Sequence, residues 1–237
     1  MRRLSPLLVL ALGACAAPKP AAPPPAHPPA PVVAPLSGTW MRPIGSGVAG
    51  REGMSFAADG SLGLLGIHTM SGLTWRVEGE TLIVTTNSGR DPAPIESRLR
   101  IEELGADRLR LAADAAYLAG SYQRDDAAAA RVTGSVTYPE RIALPAEAAV
   151  HVALWDTSTA ADARLVASQV VPTAGRQVPI PFALTYATAD IDASHSYALQ
   201  ASIVAGGELR FQSRAATPVI TQGHPATVEL VVAPAGG

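Results

Sequence analysis

Residues 73–86, with the sequence LTWRVEGETLIVTT, indicate two antiparallel β-strands joined by a tight turn. Apolar and polar residues alternate through residues 73–77, residues 78–80 supply the turn, and residues 82–86 return as the second strand. Alternation with a period of two is typical of a strand that has one face buried and the other in water. This stretch therefore predicts an antiparallel sheet.

Similar short strands lie on both sides of this hairpin and together make a first β module over residues 36–124. The further strands are predicted at residues 38–40, 54–56, 61–68, 97–102, 108–111 and 117–123. About eight strands in so short a segment favour a small antiparallel meander or barrel that closes on itself, because closure removes the exposed edges of the sheet.

A second β module is predicted over residues 132–234, after a short linker at residues 125–131. Alternating apolar residues occur in about seven segments, with turn residues between them, a pattern that indicates a β-sandwich of the immunoglobulin-like or transthyretin-like kind. Pro181 lies inside one of these segments, so we expect that strand at a sheet edge. The fold class predicted for the whole chain is all-β.

The bulk composition excludes some classes of function. The formal net charge is −2, so the chain lacks the excess of positive charge that is typical of proteins that bind nucleic acid. Aromatic residues make up only 5% of the chain, so the cores should be small. Gly and Pro number 21 each, so the chain should be rich in turns. The single cysteine, Cys15, excludes an internal disulfide.

The amino terminus has the organisation of a cleaved export signal. Residues 1–14 combine Arg2 and Arg3 with a short apolar run that is too short to span a bilayer. The ending Leu-Gly-Ala before Cys15 resembles the lipobox of bacterial lipoproteins, which implies cleavage at residue 15 and acyl chains on that cysteine. The alternative is an ordinary secretory signal. Because Ala16 and not Asp follows the cysteine, the resemblance implies an outer-membrane anchor that faces the periplasm.

The segment from Cys15 to residue 35 is the predicted spacer between this anchor and the first module. Nine of residues 16–35 are proline, which favours an extended chain of about 3.1 Å per residue.

Gly38 and Trp40 resemble the Gly-X-Trp signature of lipocalin-type barrels. In that family the tryptophan plugs the closed end of the barrel and an arginine near the last strand packs over it, so the resemblance implies this role for Arg124. The resemblance also implies a cavity for a small apolar ligand as one possible function. We expect instead a narrow barrel that its own side chains fill, with Trp40 in the core.

The second module resembles the YbaY/YscW lipoprotein family. The resemblance rests on seven stretches: VTGSVTY at residues 132–138, RIALP at 141–145, VALWDTS at 152–158, PIPFALTY at 179–186, ID at 191–192, HSY at 195–197 and VEL at 228–230. The family implies a lipid-anchored β-sandwich of the Gram-negative envelope, and some members are pilotins of type III secretion. It implies no catalytic residue and no cofactor.

Candidate chemistry in the sequence is sparse. Asp190, Asp192 and His195 have residue types that can hold a divalent metal, but their segment has turn chemistry, and we expect no metal there. His68 near Ser71 has no third group to orient it, so no catalytic triad is expected. Trp155 alternates with apolar neighbours and is expected to face outward as a contact for a partner.

The expected function is that of a non-enzymatic, membrane-anchored envelope lipoprotein without cofactors. It would act as a scaffold, chaperone or pilotin-like adaptor for an outer-membrane or secretion-system protein. The first alternative is binding of a small apolar ligand by the barrel around Trp40, and the second is an envelope hydrolase.

Overall fold

A computed structural model describes residues 33–45, 49–88, 91–113, 116–159 and 163–236. Within this part of the chain nearly all regular structure is β, and a barrel-like module precedes a module of two facing sheets. The all-β prediction is therefore confirmed. Residues 1–14 and Cys15, where we expect the export signal and the lipid anchor, lie outside the described residues.

The first module is one eight-stranded antiparallel sheet in the order β3-β2-β1-β8-β7-β6-β5-β4. A four-residue helix, α1 (Val33–Leu36), precedes it. The strands are β1 (Gly38–Pro43), β2 (Arg51–Phe56), β3 (Leu62–Leu65), β4 (Met70–Glu78), β5 (Thr81–Ser88), β6 (Ile95–Leu104), β7 (Arg108–Ala112) and β8 (Gly120–Arg124). The two end strands, β3 and β4, approach each other at a bridge between Ser61 and Thr74, so the sheet is nearly closed.

The hairpin that opens the sequence analysis is present, with one irregularity. Strands β4 and β5 pair from Met70 with Ser88 to Glu78 with Thr81, but the register shifts between Gly72 and Thr74. Leu73 is the unpaired residue of this bulge and is half-buried. Exposure still alternates through residues 73–77, as the sequence predicts.

Ile83 is fully buried although it does not face the barrel core. It lies in one cross-strand row with Arg76 and Arg98, whose guanidinium groups pair with Glu78 and Glu96. The aliphatic stems of the two arginines can cover Ile83 while their charged ends stay in water.

In the described residues of the second module, nine strands form two sheets around one apolar core. The strands are β9 (Ala129–Thr137), β10 (Ala149–Asp156), β11 (Arg164–Pro172), β12 (Ile180–Ala187), β13 (Tyr197–Ala205), β14 (Glu208–Gln212), β15 (Thr217–Val219), β16 (Thr227–Val231) and β17 (Ala233–Pro234). The larger sheet has the order β11-β10-β13-β14-β17, with β15 also paired to β13, and the smaller sheet has the order β12-β9-β16. Strand β16 runs parallel to β9, while the other pairs are antiparallel.

Strand β12, which contains Pro181, lies at an edge of the smaller sheet, as the proline predicts. Residues 125–131, the expected linker, hold a short 3-10 turn (Asp126–Ala128) and the first residues of β9. The second module therefore follows the barrel almost without a connecting loop.

Candidate interaction surfaces

One end of the barrel is closed by the residues of the Gly-X-Trp signature. Trp40 is fully buried, and the guanidinium carbon of Arg124 lies 4.3 Å from the centroid of its ring, a cation–π contact. Gly38 has a φ of 125°, and a Cβ at this position would collide with the side chains of Arg124 and Asp126. Only glycine lets the arginine pass this close to the start of β1.

Arg124 also binds the chain segment that precedes the first strand of the barrel. Its guanidinium donates hydrogen bonds to the carbonyl oxygens of Ser37, over 2.8 Å, and of Pro35. The indole Nε1 of Trp40 donates to the carbonyl oxygen of Leu36 over 2.8 Å. The segment that follows the predicted spacer is thus bound to the closed end of the barrel by three side-chain hydrogen bonds.

A second polar cluster lies at the other end of the barrel, farther along β1. Arg42 and Glu52 form an ion pair of 2.7 Å, and the Glu52 side chain is only 5% exposed. The hydroxyl of Tyr117 donates to Glu52 over 2.5 Å, while Arg42 lies 4.9 Å from the ring centroid of Tyr122. Burial raises the pKa of the Tyr122 phenol, so this residue is neutral at physiological pH.

Apolar side chains fill the space between these two ends of the barrel. The fully buried members of this core include Trp40, Met54, Phe56, Leu82 and Leu99. A ligand inside the barrel would have to displace such side chains, because protein cores are packed close to the density of organic crystals.

The open seam of the barrel between β3 and β4 is where the second module packs. Gly63 on β3 faces Thr185 on β12, and a Cβ at residue 63 would lie 2.5 Å from the Cβ of Thr185. Gly72 on β4 allows a similar approach to the carbonyl oxygen of Leu62. The two glycines let β3, β4 and β12 come together at this seam.

Two buried hydrogen bonds join the barrel to strand β11 at the same seam. The backbone N–H of Val170 donates to Ser71 Oγ over 3.1 Å, and Asn87 Nδ2 donates to the carbonyl oxygen of Val170 over 3.0 Å. Strand β11 is an edge strand, so these two side chains satisfy backbone groups that a neighbouring strand would otherwise bind. The sequence gives no local signal for this contact, because the paired residues are 83 and 99 positions apart.

Trp155 lies on the outer face of the larger sheet, opposite to the core. It shares a cross-strand row with Leu165, Ala198 and Pro218, and these four residues define what we call the Trp155 row. Trp155 and Leu165 are half-buried, and Pro218 is exposed. The indole nitrogen of Trp155 is buried without a hydrogen-bond partner among the described residues. The row is an apolar strip on the protein surface.

His195, for which the sequence predicts no metal site, pairs with an aspartate at the end of strand β10. His195 Nδ1 lies 2.8 Å from Asp156 Oδ2, and the hydroxyl of Ser158 donates to the same carboxylate over 2.7 Å. Burial alone would raise the pKa of Asp156, but the hydrogen bonds from His195 and Ser158 outweigh it and lower the pKa to about 2. Asp192 accepts hydrogen bonds from the backbone and hydroxyl of Ser194, as the turn chemistry predicted.

The other histidines with described positions lie apart from this pair. His68 and His224 are exposed. His151, which its alternation with Val150 and Val152 predicts to face solvent, is half-buried on the outer face of the larger sheet, and this burial lowers its pKa. Among the described residues, no three His, Cys, Asp or Glu side chains are arranged to hold a metal ion, and no helix is long and apolar enough to cross a membrane.

Two protein-family models match the chain, one for each β module. Residues 33–125 match the lipocalin-like family, and residues 127–232 match the family of type III secretion system lipoprotein chaperones, YscW. Neither family is described as one of enzymes.

One curated relative is the uncharacterized lipoprotein YbaY of Escherichia coli (strain K12), which is 36% identical over 93 residues. The match covers 39% of this chain and 49% of YbaY, so the chain spans about half the length of this relative.

Two solved structures resemble parts of the chain. An alternative pilotin from the type II secretion system of Vibrio cholerae is 41% identical, with a TM-score of 0.45, and the match covers 46% of this chain and 99% of that one. A lipocalin-like protein from Bacteroides thetaiotaomicron VPI-5482 is 24% identical, with a TM-score of 0.33, over 38% of this chain and 96% of that one. Both family resemblances predicted from the sequence are confirmed by the family models: residues 33–125 are similar to the lipocalin-like family, and residues 127–232 are similar to the YscW lipoprotein chaperone family.

Proposed function

We propose that this protein is a lipid-anchored, non-enzymatic adaptor of the bacterial cell envelope that binds a component of a protein secretion system. The match of residues 127–232 to the secretion lipoprotein chaperones is the observation that carries the proposal. The lipoprotein relative is consistent with it.

The proposed anchor is an acylated Cys15 in the outer membrane, with the folded modules on the periplasmic side. Several acyl chains at about 0.8 kcal/mol per buried CH₂ hold a protein at a membrane far more firmly than one chain does. Because Arg124 binds Pro35 and Ser37, a pull on the spacer would act on the closed end of the barrel.

We propose the Trp155 row as the contact with the secretion-system component. A half-buried tryptophan in an apolar strip can bury the rest of its ring against a partner at little conformational cost, because its indole is already held by the sheet.

The test is a crosslinked pull-down of the full chain from envelopes, with the captured proteins identified by mass spectrometry. We expect recovery of a secretin or another secretion-system component, and we expect Trp155→Ala to weaken its binding by more than about tenfold. Gln200→Ala is the matched control, because Gln200 is exposed on the same sheet face in a neighbouring row. Equal recovery by wild type and Trp155→Ala would reject this surface.

The anchor is tested separately with Cys15→Ala and radiolabelled palmitate. Wild type should incorporate the label and fractionate with the outer membrane, while the variant should do neither. Recovery of only cytoplasmic or inner-membrane proteins by the lipidated chain would overturn the adaptor role itself.

A further inference from the structure

A groove of about 590 Å³ runs along the junction of the two modules, next to the seam. Its apolar wall comes from Leu73, at the bulge of β4, together with Val171 and the exposed Pro181. Its polar side carries the guanidinium groups of Arg131 and Arg176. The volume falls in the range of sites that bind ligands.

The cations of the groove are only partly neutralised. Arg131 contacts the hydroxyl of Ser61 over 2.8 Å and lies 3.5 Å from a carboxylate oxygen of Asp59, but its Nε is buried without a partner among the described residues. Arg176 donates only to the backbone carbonyl oxygens of Thr173 and Pro172. Two cations with one nearby carboxylate leave the groove with a net positive charge.

Two edge strands also line the groove. Its rim contains residues 181–183 of β12 and residues 171–172 of β11, and both strands are edge strands of their sheets. An extended peptide can pair with an edge strand, which an acyl chain cannot.

We propose that this groove binds an extended peptide segment of a partner protein, in which a carboxylate pairs with Arg131 and Arg176 and adjacent apolar side chains pack on the opposite wall. The groove is open to solvent along its length, which suits a peptide, whereas a lipid tail is better served by an enclosed apolar cavity. The charge of the groove selects acidic over basic segments.

This site is distinct from the Trp155 row. Val171 and Leu165 lie six residues apart on β11, a separation of about 20 Å at 3.3 Å per residue. The two proposals can therefore fail independently. The peptide site can be absent while the adaptor role holds, and the adaptor role can fail while the peptide site is present.

The test is a peptide-display selection with a random library on the full chain, followed by titration of the synthesised peptides. We expect the selected peptides to combine Asp, Glu or a free carboxyl terminus with apolar residues. Arg176→Glu should weaken their binding by about tenfold or more, while Arg176→Lys should retain most of it. Arg214→Glu is the matched control, because this exposed arginine carries the same charge change and does not line the groove.

Three outcomes would overturn the proposal. The first is that no peptide is selected, and the second is that selected peptides bind Arg176→Glu as well as wild type. The third concerns oleate, added as a probe for lipid: Arg176→Glu weakens the binding of oleate and does not weaken the binding of the peptides.

Discussion

Asn87 in the barrel donates a hydrogen bond from Nδ2 to the carbonyl oxygen of Val170 in the second module, over 3.0 Å and out of contact with water. Ser71 accepts a hydrogen bond from the N–H of Val170. Together, the side chains of Asn87 and Ser71 take the place of a neighbouring strand at the edge of β11. The two modules are therefore joined by directional bonds as well as by apolar contact.

Asn87→Ala should destabilise the protein by about 1–3 kcal/mol, because it leaves the buried carbonyl group of Val170 without a partner. The measurement is the free energy of unfolding in urea, followed by tryptophan fluorescence. Gln200→Ala removes an exposed amide and should change this energy by less than about 0.5 kcal/mol. A cost for Asn87→Ala no larger than that of the control would show that the bond contributes nothing.

The fold was predictable from the sequence because its strongest signals are local. The alternation in residues 73–86, the glycine turns and the signature at Gly38 and Trp40 each lie within a few positions of one another. The hydrogen bonds between Asn87 and Val170 were not predictable, since they join residues 83 positions apart that have no pattern in common.

Burial on the outer sheet faces was the other feature that local alternation did not predict. Alternation placed His151 in solvent, but it assigns only a face and does not show whether that face is covered. Leu73 was read as part of a regular strand, because a single bulged residue leaves no mark in the sequence.

Gly38→Ala should cost about 1–3 kcal/mol or more, because it adds backbone strain at a φ of 125° to a collision with Arg124. Gly79→Ala is the matched control, since Gly79 also has a positive φ, 61°, but no other atom lies near its Cβ position. Thermal unfolding of both variants should show the larger loss for Gly38→Ala. Equal losses would mean that Arg124 does not pack at residue 38.

The barrel of the wild-type protein should not bind small apolar molecules, because Phe56 and its neighbours fill the interior. Phe56→Ala should cost about 3–5 kcal/mol and open an apolar cavity that binds benzene. Benzene should raise the melting temperature of the variant and leave that of the wild type unchanged. A retained lipid in native mass spectra of the wild-type protein would instead favour the ligand-binding alternative.

The pair of His195 and Asp156 should stabilise the fold most between about pH 4 and pH 6.5. The hydrogen bond to Asp156 raises the pKa of His195 above 6.5, so its contribution is complete below that pH and is lost as the pH rises through the raised value. The Asp156 contribution is complete above its ordinary pKa of 3.8 and is lost as the pH falls through about 2.

The measurement is a double-mutant cycle of Asp156→Asn and His195→Gln, with thermal unfolding at pH 5 and pH 8. The coupling between the two substitutions should be larger at pH 5, because both groups are charged there. The cycle removes the separate effect of Ser158, which also bonds to Asp156. A coupling that is the same at both pH values would contradict a charged pair.

The close approach of Gly63 to Thr185 should make Gly63→Ala destabilising by about 1–3 kcal/mol, because the new methyl group has no room at the seam. Gly105→Ala is the control, since the nearest atom to its Cβ position lies at an ordinary 3.8 Å. In a Thr185→Gly background the cost of Gly63→Ala should fall by more than about 0.5 kcal/mol, because the side chain with which it collides is gone. Urea unfolding of the four proteins measures this coupling. If Gly63→Ala lowers the free energy of unfolding by the same amount with and without the Thr185 side chain, then β3 and β12 do not touch at these residues, and the second module does not pack on the barrel seam there.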